Sequence, residues 1–568
     1  MTFDSSRRAS PGTGALVYAL PRLAFCLALL AVGPSAFAAD LYVAPTGRSG
    51  NPGTASAPLD TPQSALQRAR PGDRILVRAG TYAGGGWIDA RGTAQAPITV
   101  LSVDGPRRAV LQGGGESLRL GEGASYLVFD GLEIRNATNN VIHIDGNSHH
   151  ITLRNVFAHD AGRDGDVVKV NQAAHIYIEG GEYARPGPRP GSSENPYQEC
   201  IDFLAVDTLV VRDAWIHDGG SSLIYAKGGS RNVVFERNLI NEQRAGASDP
   251  MVGLGGVTGV DFLGDGSFEA YDIVFRNNIV QGGASGGIAI YDARGAYIAN
   301  NLFLDVNTVL VQFRPGAGTA RRTENVRVID NLFVDTRGRM PSPIGRTGGN
   351  AVTQLVWQHN LFWNNGGGVP SGTLLNVTTQ PGHLLANPGI RAATGSRDTL
   401  ARTLRPADGS PATNSGVDTT AAPFGVTVDI NGLARAGRTD RGPWNLGLPL
   451  PPVGTTPDAG VPATDAGTPP PRDSGVVPPR DSGVVPPRDA GVVPTLDSGT
   501  APPDEDAGIA PSEDASAPSD DTGDEVTEGS SSNGCSAAPG GHRGPATALS
   551  LGLAAGLVGL VRRRRRAA

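Results

Sequence analysis

Phe275-Arg276-Asn277-Asn278, Ile298-Ala299-Asn300-Asn301, Val328-Ile329-Asp330-Asn331 and Trp357-Gln358-His359-Asn360 are four copies of one pattern, an apolar anchor followed three residues later by asparagine. Extended toward the N-terminus, the anchor series reads Phe129, Leu153, Ile178, Val211, Phe235, Phe275, Ile298, Val328 and Trp357. The spacings are 24, 25, 33, 24, 40, 23, 30 and 29. The short ones fit one turn of a three-sided solenoid, and a fixed period in this range marks a repeat architecture. Asn238, Asn278, Asn301, Asn331 and Asn360 all stand at the third position after the anchor. Stacked, they would form a ladder of side-chain amides; asparagine also tolerates the left-handed backbone that tight turns need.

A second strand follows in most repeats. Positions 13 and 15 after the anchor are Ile142/Ile144, Ile224/Ala226, Ile288/Ile290 and Val311/Phe313, which are apolar or small and should face inward. Positions 14 and 16 then face outward, because strand side chains alternate. The expected fold is all-β, a right-handed parallel β-helix of about ten to twelve coils over residues 39–449. Leu41-Tyr42-Val43 reads as its first strand, Thr61 to Arg70 as a short amphipathic helix capping the first coil, and Ile75-Leu76-Val77 as the next strand. Such caps protect the open end of a stack, and a monomer is expected. After Trp357 the coils fade into irregular closing structure.

The flanks have other characters. Arg7, Arg8 and Arg22, the apolar run Leu23 to Val32 and the site Ala36-Phe37-Ala38 read as a secretory signal peptide over residues 1–38. From 450 to 533, Asp-Ala-Gly or Asp-Ser-Gly occurs seven times among prolines, a composition that reads as a disordered stalk. Residues 534–568 hold Gly534-Cys535, an apolar stretch from Ala546 to Val561 and the arginines Arg562 to Arg566. Sixteen apolar residues are marginal for a transmembrane helix, and the arginines would hold its end in the cytoplasm.

Residues 458–529 carry 16 acidic against three basic side chains, and six arginines follow residue 540. With a chain total of −7, the remainder is close to neutral, which excludes the basic footprint of a nucleic-acid binder. Cys200 is the one cysteine between the flanks, so the core has no internal disulfide.

The two N-terminal stretches, Leu41 to Gly47 with Asn51-Pro52-Gly53-Thr54 and Pro71-Gly72-Asp73-Arg74 through Tyr82, resemble the opening of secreted β-helix proteins of the pectate-lyase-like superfamily. That group includes lyases, glycoside hydrolases, epimerases and non-catalytic surface proteins, so the fold does not choose the function. The C-terminal tail resembles the myxobacterial sorting signal, which implies an exported, processed protein at the cell surface, with membrane contact through the tail.

The chain has two lysines, Lys169 and Lys227, against 46 arginines. Arginine does not deprotonate in a protein, whereas lysine can be tuned toward neutrality. Both lysines fall on the outward face of the second strand, as do His143, Asp145, Asp202 and Tyr225. A retained amine on one face suits β-elimination on a uronate polysaccharide, where a base removes the proton α to a carboxylate and a cation steadies the developing charge. The spacings of 33 and 40 place insertions at about 184–198 and 241–268, raising loops on both sides of the coil that carries Tyr225 and Lys227.

Tyr225-Ala226-Lys227-Gly228-Gly229 is similar to the catalytic-lysine strand of the alginate and chondroitin lyase family of β-helices. That family's two calcium-binding glutamates fall here on Gly220 and Ser222, and Arg244 is the arginine nearest to its next-coil arginine. The expected roles are catalysis for Lys227, Lys169 and Tyr225, substrate binding for His143 and Arg244, and metal binding, with calcium as the candidate ion, for Asp202 and Glu199. Each has a plain alternative: a solvated lysine beside a Gly-Gly turn, an aspartate that only pairs with a lysine, a tyrosine that is a stacking platform. His217-Asp218 should lie in a turn, and His149-His150 should be a loop pair without a third ligand for zinc. No Asp-Asp pair stands in the core coils, which speaks against a paired-carboxylate glycoside hydrolase. A surface adhesin or matrix protein using the same face only for contact is the other expectation.

Overall fold

In a computed structural model of the chain, residues 38–187, 198–247, 249–259, 262–263, 267–317, 321–349, 351–435, 437 and 439–451 are described. The expected signal peptide (except Ala38), the stalk beyond Pro451 and the sorting tail with its apolar stretch lie outside the described residues. Among the described residues no helix is long and apolar enough to cross a membrane.

The chain winds into a right-handed parallel β-helix with three parallel sheets of 12, 12 and ten strands. Sheet I carries the anchors, sheet II the short strands that follow each anchor, and sheet III the second strands identified from the sequence. Every anchor pairs with the next in register, from Phe129 with Leu153 to Val328 with Trp357. The inward residues of sheet III stack in the same way, Ile142 on Val168, Ile201, Ile224, Val252, Ile288, Val311 and Ile344. All are buried in one continuous core. Apolar burial of this kind, at about 25 cal/mol per Å2, replaces the disulfides the core lacks.

The asparagine ladder forms. Asn238, Asn278, Asn301 and Asn331 each donate a side-chain amide to the Oδ1 of the next asparagine at 2.9–3.1 Å, and each backbone N–H meets that same oxygen at 2.8–3.0 Å. The left-handed residue is not the ladder asparagine, however, but the one before it: Arg237, Asn277, Asn300, Asp330 and His359 have φ of 54–57°. The ladder asparagine is instead selected by its donor and acceptor, which satisfy buried backbone at the corner. A second left-handed column lies three residues before each anchor, where the register skips one residue per strand. His150 belongs to it, so the His149-His150 pair lies in the strand His149–Arg154 rather than in a loop, with His150 stacked between Tyr126 and His175.

The N-terminal helix is shorter than expected, Pro62–Leu66. Thr61 caps it by accepting from Ser64 N at 3.1 Å, and Ala65 and Leu66 are buried against the first coils. The closing segment does more than end the stack. Residues 386–451 fold back along the outside of sheet II, where the outward column changes from Glu133, Phe157, Glu182 and Trp215 to Leu239, Ile279, Leu302, Leu332 and Leu361. Ile390, Leu400, Leu404, Ile430, Trp444 and Leu446 cover the aliphatic part of that column. Arg441 donates to Asn360 O at 2.8 Å, Asn277 to Val428 O at 2.7 Å, and Val417 N to Asp330 at 2.8 Å, pinning the segment to the corner residues.

Candidate functional site

Sheet III presents its outward residues as a column one strand apart, about 4.8 Å per step. Lys169 pairs with Asp202, Asp202 with Tyr225, and Leu204 with Lys227. Both lysines therefore converge on Asp202. Lys169 Nζ contacts Asp202 Oδ2 and lies 3.2 Å from Asp166, while Lys227 Nζ lies 3.3 Å from Asp202 Oδ2 and contacts the Tyr225 hydroxyl. Lys227 also stands 4.2 Å from the centroid of the Tyr225 ring. Asp202 is on the outward face as expected, yet its side chain is fully buried beneath these neighbours. A carboxylate taken out of water needs such partners, because the cost of burying it alone is several kcal/mol.

Glu199 joins from the segment leading into the Asp202 strand, its N–H bonded to Asp166 Oδ1 at 3.0 Å. Asp166 was not singled out from the sequence; its place three residues before Lys169 is the signal that could have found it. One oxygen each of Asp166, Glu199 and Asp202 lie within 4.8 Å of one another. The fold thus assembles from separate coils the carboxylate group that no adjacent pair in the sequence displays.

The electrostatics separate the members of this group. Burial, with Asp166 and Asp202 adding like charge, pushes the Glu199 carboxyl well above the usual carboxylate range. Burial would lower the Lys169 ammonium, but the Asp202 and Asp166 carboxylates outweigh it and push Lys169 above its ordinary value. Lys169 is therefore a fixed cation. Burial and then the charges of Asp202, Glu199 and Asp166 hold the Tyr225 hydroxyl well above its ordinary value, so it stays a donor.

The oversized coils contribute differently from expectation. Residues 188–197 of the first insertion lie outside the described residues. The second contains a regular sheet III strand, Val252–Leu254, so most of its extra length lies beyond residue 254. There Gly256 packs on the site: a Cβ at that position would come within 2.9 Å of Lys227 Cβ. Glu269, buried and missed by the sequence reading, clasps this loop. It accepts from Gly228 N (3.1 Å), Thr258 N (3.0 Å), Thr258 Oγ1 (2.8 Å) and Ala317 N (3.0 Å).

His143 lies one strand before Lys169, with Nδ1 2.6 Å from Glu116 and Nε2 3.3 Å from Asn171 Nδ2. Further along the same face, Trp87 is exposed beneath Arg119, whose guanidinium is 4.5 Å from the ring centroid. In the other direction Arg314 pairs with Asp249 at 2.7 Å and donates to Tyr291 at 3.1 Å. Arg244 is not brought to the lysines. Its electrostatic neighbours are Cys200, Asp218, Arg185 and Asp160, on the side of sheet II, because its backbone follows the strand Leu239–Asn241 rather than one of sheet III. Cys200 is buried, and burial pushes its thiol far up, so it is inert.

Comparison with known proteins agrees with the fold. Residues 41–192 match the family described as Pel9A-like, right handed beta helix region, and residues 120–303 match a general right handed beta helix region. A pectate lyase of Emericella nidulans is 39% identical over 77 residues, which is 13% of this chain and 19% of the relative. The chain thus spans about a fifth of that curated relative's length. Among solved structures, pectate lyase Pel9A aligns with a TM-score of 0.45 and 15% identity over 72% of this chain and 96% of its own. XylC in complex with xylose gives 0.40 and 11% over 72% and 98%. PfbA, a surface adhesin of Streptococcus pneumoniae, gives 0.38 and 12% over 53% and 79%.

Proposed function

We propose that the protein is an exported, surface-displayed β-helix protein that cleaves an anionic, uronate-containing polysaccharide by β-elimination on the outer face of sheet III. The observation that carries this is the convergence of the chain's two lysines on the buried Asp202 beside Tyr225 and two further carboxylates. The match of residues 41–192 to the Pel9A-like region, and the segment shared with a protein named as a pectate lyase, favour a uronate polymer as substrate.

In this reading the neutral amine form of Lys227 takes the proton α to the uronate carboxylate and becomes the ammonium. The electron pair left on that carbon expels the glycosidic oxygen at the β position, which takes a proton from the Tyr225 hydroxyl or from water, giving an unsaturated sugar and a new chain end. Lys169, fixed as a cation by Asp202 and Asp166, steadies the charge that develops on the uronate carboxylate. Tyr225, held protonated and touching Lys227, is the donor nearest to the proton transfer.

Asp166, Glu199 and Asp202 fit a hard cation. Their oxygens converge, Asp202 Oδ1 is buried without a hydrogen-bond partner, and burial with the like charges of Asp166 and Asp202 raises the Glu199 carboxyl, a penalty a bound cation would relieve. Calcium would take further oxygens from water or substrate and would supply a fixed positive charge to the uronate carboxylate.

The test is to incubate the protein with pectate, alginate and glycosaminoglycans and follow the ultraviolet absorbance of the unsaturated product. Product from one of these polymers is expected. Binding without product on all of them would leave a polysaccharide-binding surface protein and overturn the lyase reading.

A further inference from the structure

The outer face of sheet II holds a second group of chemistry-bearing residues, outside the lysine site and used by none of the steps above. His217 ends the strand Trp215–His217 and is 5% exposed. Its Nε2 lies 3.2 Å from Glu182 Oε1. A carboxylate can only accept, so Nε2 carries the hydrogen, and Nδ1 is the ring nitrogen open to an ion once any proton on it is displaced. That Nδ1 is buried and has no hydrogen-bond partner. It faces two carboxylates, Asp218 Oδ2 at 3.5 Å and Glu242 Oε2 at 3.8 Å.

One ring nitrogen and two carboxylate oxygens meet at one place, all within 4.8 Å of one another. The two distances are longer than an N–H···O hydrogen bond of about 2.7–3.2 Å. They are close to the separation of about 3.3–3.4 Å between neighbouring ligands of a tetrahedral ion with bonds of about 2.0–2.1 Å. Asp218 and Glu242 follow the paired residues His217 and Asn241, so they occupy the same corner of successive coils. Arg244 and Arg185 offset part of the Asp218 charge, and a cation between Asp218 and Glu242 would remove the repulsion of the two stacked carboxylates. Glu182 behind the imidazole completes the carboxylate–histidine arrangement that orients metal-bound histidines.

We propose that His217, Asp218 and Glu242 form a binding site for a divalent transition ion of the zinc class. One imidazole and two carboxylates suit such an ion better than calcium, which takes an all-oxygen set. The side chains of Asp218 and Glu242 are 41% and 47% exposed, so the remaining coordination positions open to water. The ion ties two successive coils together at the corner after sheet II, on a different sheet from the lysines.

The test is a zinc titration of the full chain after chelator dialysis, against a chromogenic competitor and with calcium present in excess. One tight zinc per chain is expected, retained in Asp202→Asn, lost in His217→Ala and weakened at least ~10-fold in Glu242→Gln. Glu242 is half exposed, so that variant reads the site even where His217→Ala fails to fold. Cobalt in place of zinc should give visible absorption bands that Glu242→Gln shifts or removes. Absence of stoichiometric zinc in the wild type, unchanged affinity in Glu242→Gln, or loss of zinc in Asp202→Asn would each overturn the proposal.

Discussion

At the scale of single residues, lysine and arginine are not interchangeable at sheet III. Lys227→Arg keeps the charge but cannot accept a proton, so activity on the cleaved polymer should fall about 10^2–10^4-fold, as far as in Lys227→Ala. Lys169→Arg preserves a cation against Asp202 and should retain a measurable fraction; initial rates of unsaturated product formation distinguish the two. Asp330 gives a second residue-scale prediction. Burial pushes its carboxyl up to about 7, only partly offset by the Val417 N–H and by Arg441 and Arg435. Its folded pKa is raised above the unfolded value of 3.8, so its contribution is fully present below about pH 4 and is lost as pH rises through about 7. Asp330→Asn should therefore match the wild type near pH 4 and be more stable at pH 8, by about 2–4 kcal/mol, as read by urea unfolding at the two pH values.

At the scale of elements, the asparagine ladder joins corner to corner through buried amides. Asn301 donates to Phe275 O at 2.9 Å and to Ala299 O at 3.0 Å, while its Oδ1 takes the N–H of Asn278 at 2.8 Å. Asn301→Ala strands these groups without water and should cost about 2–4 kcal/mol, measurable as a lower urea midpoint. Glu269 is the corresponding clasp for the loop over Lys227. Glu269→Gln keeps the shape but loses charge-assisted bonds to four donors, and it should lower turnover before it lowers global stability. The repeat made the ladder legible in advance, since identical residues at one period can only stack. Glu269 was not legible, because its donors come from residues 228, 258 and 317, which share no local pattern.

At the scale of the whole molecule, the returning segment 386–451 is part of the fold. It covers the column Leu239, Ile279, Leu302, Leu332 and Leu361, and Trp444, fully buried, bonds Ala401 O through its indole N–H at 2.6 Å. Trp444→Ala should cost about 3–5 kcal/mol. A chain ending before residue 386 should bind a hydrophobic dye and aggregate, because an apolar column along five coils would face water. The switch from Glu133, Phe157, Glu182 and Trp215 to five aliphatic residues at one repeat position announces that cover, though not what provides it.

The sequence by itself determined the coil register, the inward columns of sheets I and III, the ladder and the common face of the two lysines. All of these follow from side-chain alternation and a repeat period, which are local rules that hold at every coil. Only the tertiary structure decided which side chains meet. Asp166, Glu199 and Asp202 converge because stacking brings residues 33 apart in the chain within about 4.8 Å, and insertions of irregular length set that offset. The same stacking carried Arg244 away from the lysines, set Glu242 beside His217, and buried Asp202 on a face that alternation alone assigns to water.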